Sequence, residues 1–126
     1  MTKAAVIRRV LLVDDRVENL MFVRDFLVSR GYEVSTALSG RDALADMVET
    51  PPDVVLLDLE MPEMSGIEVL EHMQRSELLS QIPTVVLSAH PRDEIAADCE
   101  AAGANGVLSK PIRLRVLREL LASLGF

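Results

Sequence analysis

The sequence predicts an α/β protein built on a doubly wound parallel sheet of five strands in the order 2-1-3-4-5. Three observations point there. Short apolar runs alternate with stretches of helical periodicity along the whole chain, the rhythm of strands joined by right-handed helical crossovers. The run Val54-Val55-Leu56-Leu57, set between Pro51-Pro52-Asp53 and Pro62, is continuously apolar rather than alternating, as a parallel strand covered on both faces requires. Polar groups stand at or just past four strand ends, as Asp14-Asp15, Asp58, Ser88 and Lys110, and sheets of this class bind ligands beyond their carboxyl ends.

Each element has a local cause. Arg9–Val13 is the first strand. The stripe Val17, Leu20, Met21, Leu27, Val28 marks a helix from Arg16 to Ser29, with Asp15 and Glu18 at capping-box spacing and Gly31 as its stop. Glu33–Ala37 alternates as a second strand, ending at Leu38-Ser39 without a charge. Ser39 caps a helix whose apolar face is Ala43, Leu44, Met47 and Val48. After the strand that ends at Asp58, Ser65-Gly66-Ile67-Glu68 opens a helix to about Ser76. Thr84–Ser88 is the fourth strand. Pro91, at the first helical position, and Asp93 and Glu94, at the positive dipole end, begin a helix to about Ala102. Val107-Leu108 forms the last strand, Lys110-Pro111 a turn, and Leu114, Leu117, Leu121 and Leu124 the face of a final helix.

Composition sets limits. A chain of 126 residues, 49% apolar and 26% charged, is expected to form one domain over 1–126 with a real core. No linker, repeat or low-complexity stretch divides it. A net charge of -7 argues against nucleic acid or an anionic membrane as direct partner. No apolar run reaches the ~18 residues of a membrane span, and the segment before Arg8-Arg9 is too short for a signal peptide. A single cysteine, Cys99, permits no internal disulfide and fits a cytoplasmic location. Its helical register, near Ile95 and Ala102, marks it for packing, and the methionines read as core filling.

The strand order places the first and third strands at the switch point, bringing Asp14, Asp15 and Asp58 together. Each like-charge pair near 4 Å costs ~4 kcal/mol at an effective dielectric of 20. Either one carboxylate takes up a proton or a cation sits among them. Carboxylate oxygens without histidine or cysteine suit Mg²⁺, or Mn²⁺, over Zn²⁺, and such an ion serves phosphoryl transfer. Only Lys3 and Lys110 of the 13 basic residues are lysines, so a lysine at the site suggests a compact charge on a flexible stem. With the Ser88 hydroxyl, metal and ammonium would surround a phosphoryl group on Asp58 acting as covalent nucleophile.

In this constellation the chain resembles the receiver domain of two-component response regulators, members of the CheY-like superfamily. The resemblance rests on Leu-Leu-Val-Asp14-Asp15, on Asp58 within Asp-Leu-Glu-Met-Pro-Glu-Met-Ser-Gly, on Leu87-Ser88-Ala89 and on Lys110-Pro111. Each match alone is weak, and together in order they are specific. It implies a flavodoxin-like three-layer sandwich, and a signalling domain rather than an enzyme, which assists its own phosphorylation and dephosphorylation. Asp58 would be the phosphoacceptor, served by a histidine kinase or histidine phosphotransfer protein. Asp15, Asp58 and the Glu60 backbone carbonyl would contact Mg²⁺, with Asp14 acting mainly through water. Ser88 and Lys110 would contact the phosphoryl group, and family members often have a cis bond before the proline matching Pro111. Glu60 and His90 occupy positions that tune phosphoryl loss in the family. The family usually has Tyr or Phe where Val107 stands here, and no aromatic lies between Glu33 and Gly125. The expectation is therefore a switch through Ser88 and the loop after it, without an aromatic rotamer.

The helix from Arg92 to Ala102 carries few large anchors, so it is a candidate moving element. With the last strand and Arg113, Arg115 and Arg118, this 92–118 surface would bind a downstream effector, and dimerisation through it is the alternative. The sequence reads as a stand-alone receiver. Two other readings stay open: an interaction module that never takes a phosphoryl group, and a phosphatase with Asp58 as nucleophile. The bland readings are also on the table: Asp15 as a helix cap, Ser88 as a strand-end hydroxyl, Lys110 as a surface charge, Glu60 as a loop residue and His90 as a helix-boundary residue.

Overall fold

The computed structural model describes residues 8–126. Lys3 and the segment weighed as a signal peptide lie outside the described residues. The elements run β1 (Arg9–Val13), α1 (Val17–Ser29), β2 (Glu33–Ala37), α2 (Gly40–Glu49), β3 (Val54–Asp58), α3 (Gly66–Gln74), β4 (Thr84–Ser88), α4 (Arg92–Ala101), β5 (Gly106–Ser109) and α5 (Leu114–Ser123), with a 3-10 turn at Leu79–Gln81. All five strands are parallel, in the order β2-β1-β3-β4-β5. The doubly wound sheet is as the alternation of elements predicts.

Successive strand side chains point to opposite faces, and the sheet therefore separates two cores. Leu11, Val13, Val55, Leu57, Val86 and Val107 pack with Ala43 and Met47 of α2, Val69, Leu70 and Met73 of α3, and Cys99 of α4. The alternate residues Val10, Leu12, Val54, Leu56, Val85 and Leu87 pack with Leu20, Val23 and Leu27 of α1 and Leu117 and Leu121 of α5. Every residue of β3 and β4 is buried, as their continuous apolar runs require.

Four expectations fail in detail. In α1 the buried residues are Leu20, Val23 and Leu27, whereas Val17, Met21 and Val28 are exposed. Apolar residues occur all round this helix, so periodicity alone does not select the buried stripe. The Asp15–Glu18 capping box does not form: Arg16 is the N-cap without a side-chain cap bond, and Asp14 accepts the Arg16 N–H instead, at 2.9 Å. On α2, Val48 is exposed while Ala43 and Met47 are buried. The methionines are mixed, with Met47, Met61 and Met73 in the core and Met21 exposed.

The cap of α3 forms as expected. Ser65 Oγ accepts the Glu68 N–H and Glu68 Oε1 accepts the Ser65 N–H, each at 3.3 Å. Replacing Ser65 by Ala is expected to lower stability by about 1 kcal/mol, read as a lower urea midpoint at unchanged slope. Helix α4 has only Cys99 buried, which agrees with its shortage of anchors. Burial pushes the Cys99 thiol above its ordinary value, so it behaves as a packed apolar group.

Candidate functional site

Parallel register fixes which strand ends meet. Val13 pairs with both Ala37 and Leu57, Asp58 with Leu87, and Ser88 with Ser109. Asp14, Asp58, Ser88 and Lys110 consequently stand at one edge of the sheet. The chain winds away from β1 in both directions, and the crevice between β1 and β3 is the switch point.

Asp14, Asp15 and Asp58 each offer a carboxylate oxygen, and these oxygens lie within 4.8 Å of one another. Asp14 and Asp58 are buried and Asp15 is exposed. Lys110 Nζ donates to Asp58 Oδ1 at 2.8 Å and lies 3.5 Å from Asp14 Oδ2. Its backbone N–H donates to the Ser88 carbonyl at 2.7 Å, and the Lys110-Pro111 bond is cis, as the resemblance implies.

Three acids against one ammonium leave the cluster with an uncompensated negative charge. Burial pushes the Asp58 carboxyl from 3.8 up to about 6, against the hydrogen bond from Lys110 and with the added repulsion of Asp14. Burial acts to lower the Lys110 ammonium, but the Asp58 hydrogen bond and charge outweigh it and hold it above its ordinary value. The clustered donors are all carboxylates, without histidine or cysteine, a set of hard oxygens that fits Mg²⁺ or Mn²⁺.

Ser88 is buried, and its hydroxyl is turned to a second group of residues. Ser88 Oγ donates to Glu60 Oε1 at 2.6 Å and accepts the His90 N–H at 3.0 Å. The same Glu60 oxygen lies 2.6 Å from His90 Nδ1 and accepts the Ala89 N–H at 3.3 Å. A carboxylate only accepts, so Nδ1 carries the ring proton here. Burial acts to raise the Glu60 carboxyl, and the bonds from Ser88 and His90 overcome it and hold it below the ordinary value. Glu60 thus lies in the loop after β3 and His90 at the boundary of α4, and the two are hydrogen-bonded to each other and to Ser88.

Two further residues shape the site in ways the sequence reading does not anticipate. Asn19, in the first turns of α1, donates from Nδ2 to Asp14 Oδ2 at 3.3 Å. Gly66 lies so close to the end of β3 that a Cβ there would sit 2.6 Å from the Asp58 carbonyl oxygen and 2.8 Å from Leu59 Cα. For Gly66 the signal was present as a glycine directly after the capping serine. For Asn19 nothing in the spacing distinguishes it from a surface amide. Val107 is buried in the core beside α4.

The model of the response regulator receiver domain matches residues 10–122. This chain belongs to that family. The receiver is 43% identical over 102 residues to the transcriptional regulatory protein KdpE of Mycobacterium tuberculosis, covering 81% of this chain and 44% of KdpE. It is 31% identical over 119 residues to the polar-differentiation response regulator DivK of Brucella ovis, covering 94% of this chain and 97% of DivK. It thus spans less than half of KdpE and nearly all of DivK. Among solved structures, the chemotaxis protein CheY4 of Vibrio cholerae superimposes with a TM-score of 0.88 at 32% identity, covering 94% of this chain and 98% of CheY4. The fold is the CheY-like, flavodoxin-like sandwich, and the receiver is a signalling domain of two-component systems. Among its described residues no helix is long and apolar enough to cross a membrane.

Proposed function

We propose that this receiver accepts a phosphoryl group on Asp58 from the phosphohistidine of a histidine kinase or histidine phosphotransfer protein. The observation that carries this reading is the convergence of three carboxylates with Lys110 2.8 Å from Asp58 at the sheet's switch point. In the transfer a carboxylate oxygen of Asp58 forms a bond to phosphorus as the phosphorus–nitrogen bond breaks, and the imidazole stays with the donor. Lys110, on its flexible stem, turns from the carboxylate to the incoming phosphoryl oxygens. Asp15, Asp58 and the Glu60 carbonyl would hold Mg²⁺, with Asp14 acting mainly through water, and the bound ion would supply charge neutralisation for the phosphoryl group. Ser88 contacts the phosphoryl group once its hydroxyl is free, and Glu60 and His90 stand where they can tune the access of water to it.

The neighbouring surface supports a protein as donor. Val17, Met21 and Phe22 are exposed on α1, and Phe22 and Asn19 share a pocket of about 280 Å³ with Asp14, Lys110 and Pro111. An exposed apolar patch of this kind beside a polar site suits protein contact. On the other side, the 92–118 surface has a groove of about 410 Å³ lined by Arg92, Val107, Pro111, Arg113 and Val116, which suits an effector protein. With valine at 107 the signal passes through Ser88 and the loop to Arg92. A cytoplasmic location follows from the chemistry of such a donor.

The test is incubation with acetyl phosphate and Mg²⁺, read by intact mass. The expected result is one phosphoryl group per chain, none with a chelator, and no sustained release of phosphate. Continuous turnover would instead mark a phosphatase, and no uptake an interaction module.

A further inference from the structure

We propose that Glu60 is a latch that holds the receiver in its resting arrangement by occupying the hydroxyl proton of Ser88. The inference rests on the phosphoacceptor reading of Asp58 and goes beyond it. A serine hydroxyl has a single proton to donate. In this structure that proton is given to Glu60 Oε1 at 2.6 Å. Ser88 can therefore donate to a phosphoryl oxygen on Asp58 only after releasing Glu60.

The latch is cross-braced. One oxygen of Glu60 gathers the Ser88 hydroxyl, the His90 ring and the Ala89 N–H, so the loop after β3 is tied to the loop after β4. His90 adds a second tie, its N–H bonded to Ser88 Oγ at 3.0 Å. Helix α4 begins at Arg92, two residues past His90, and has Cys99 as its only buried residue, with Ile95 packed partly buried against the core. Release of Glu60 thus frees the lead-in to the least anchored helix. This is a route from Asp58 to the 92–118 surface that needs no ring at position 107. Glu60 acts as a positioning residue: it fixes where Ser88 points before the reaction and opposes the rearrangement that follows it.

Beryllofluoride, a stable mimic of the phosphoryl group, measures the opposition directly. With Mg²⁺ present, Glu60→Ala is expected to bind it about fivefold more tightly than wild type, the order of magnitude of one released hydrogen bond. Glu60→Gln keeps an acceptor for Ser88 while removing the charge, and should gain less. In a Ser88→Ala background there is no hydroxyl to capture, so Glu60→Ala should change the affinity little. Unaltered or weaker binding by Glu60→Ala overturns the latch. So does an equal gain in Glu60→Gln, or the same gain without Ser88, since either marks a simple charge effect. Failure of wild type itself to bind beryllofluoride overturns the phosphoacceptor reading, and the latch with it.

Discussion

Asp58→Asn is expected to stabilise the metal-free receiver at neutral pH while abolishing phosphoryl uptake. The Asp58 carboxyl is buried at the end of a central strand and is raised from 3.8 to about 6. A carboxyl whose folded value lies above its unfolded one binds protons more tightly in the native state. The associated stability is fully present below about pH 4 and is lost as pH rises through about 6. The gap between the two values corresponds to about 3 kcal/mol at most. Asparagine has the same shape and no charge to desolvate, so the variant should lack this downward slope. At about pH 8 it should exceed wild type by about 1–3 kcal/mol. Urea unfolding with a chelator at both ends of this range checks it. A variant less stable than wild type at the alkaline end would mean that the Lys110 ion pair outweighs the cost of burial. Adding Mg²⁺ should raise the wild-type midpoint through binding to the native state and leave the variant less affected.

Gly66→Ala is expected to damage both the fold and the site. The new methyl carbon would lie 2.6 Å from the Asp58 carbonyl oxygen and 2.8 Å from Leu59 Cα, and these are backbone atoms at the end of a buried strand that cannot rotate away. The Gly66 N–H also donates to the Leu59 carbonyl at 2.9 Å, so the start of α3 is clamped to the loop that carries Glu60. Separation of the two should cost about 2–3 kcal/mol. It should also weaken Mg²⁺ binding by displacing Asp58 and the Glu60 carbonyl. Unfolding midpoints and Mg²⁺ titration followed by NMR measure the two effects. Wild-type values for both would show that the loop accommodates a methyl group without moving the acids.

Much of the architecture could be read from the chain because its central strands are buried on both faces. Val54–Leu57 and Thr84–Leu87 have few other ways to hide so many apolar atoms, and the charged or hydroxyl residue after each marks where the strand leaves the core. The convergence of Asp14, Asp15 and Asp58 follows from strand order alone. The buried face of α1 does not follow, because Val17, Met21, Phe22 and Val28 offer as much apolar surface as Leu20, Val23 and Leu27 and only packing decides between them. The capping role of Asp15 was a local preference overridden by position, since Asp14 takes the Arg16 N–H. The embrace of Ser88 by Glu60 joins residues 28 positions apart, and the approach of Gly66 to β3 depends on how the loop folds back. Neither leaves a periodic trace.

Among the described residues Lys110 is the sole lysine, every other strong cation being an arginine. Its ammonium is partly exposed and paired with Asp58 and Asp14. Primary amines and guanidinium groups differ greatly in how they meet acylating reagents, so of the chain's two lysines, Lys3 and Lys110, the latter brings that chemistry into the pocket. A label or isotope placed on that one nitrogen would sit beside the reacting carboxylate and report what arrives there.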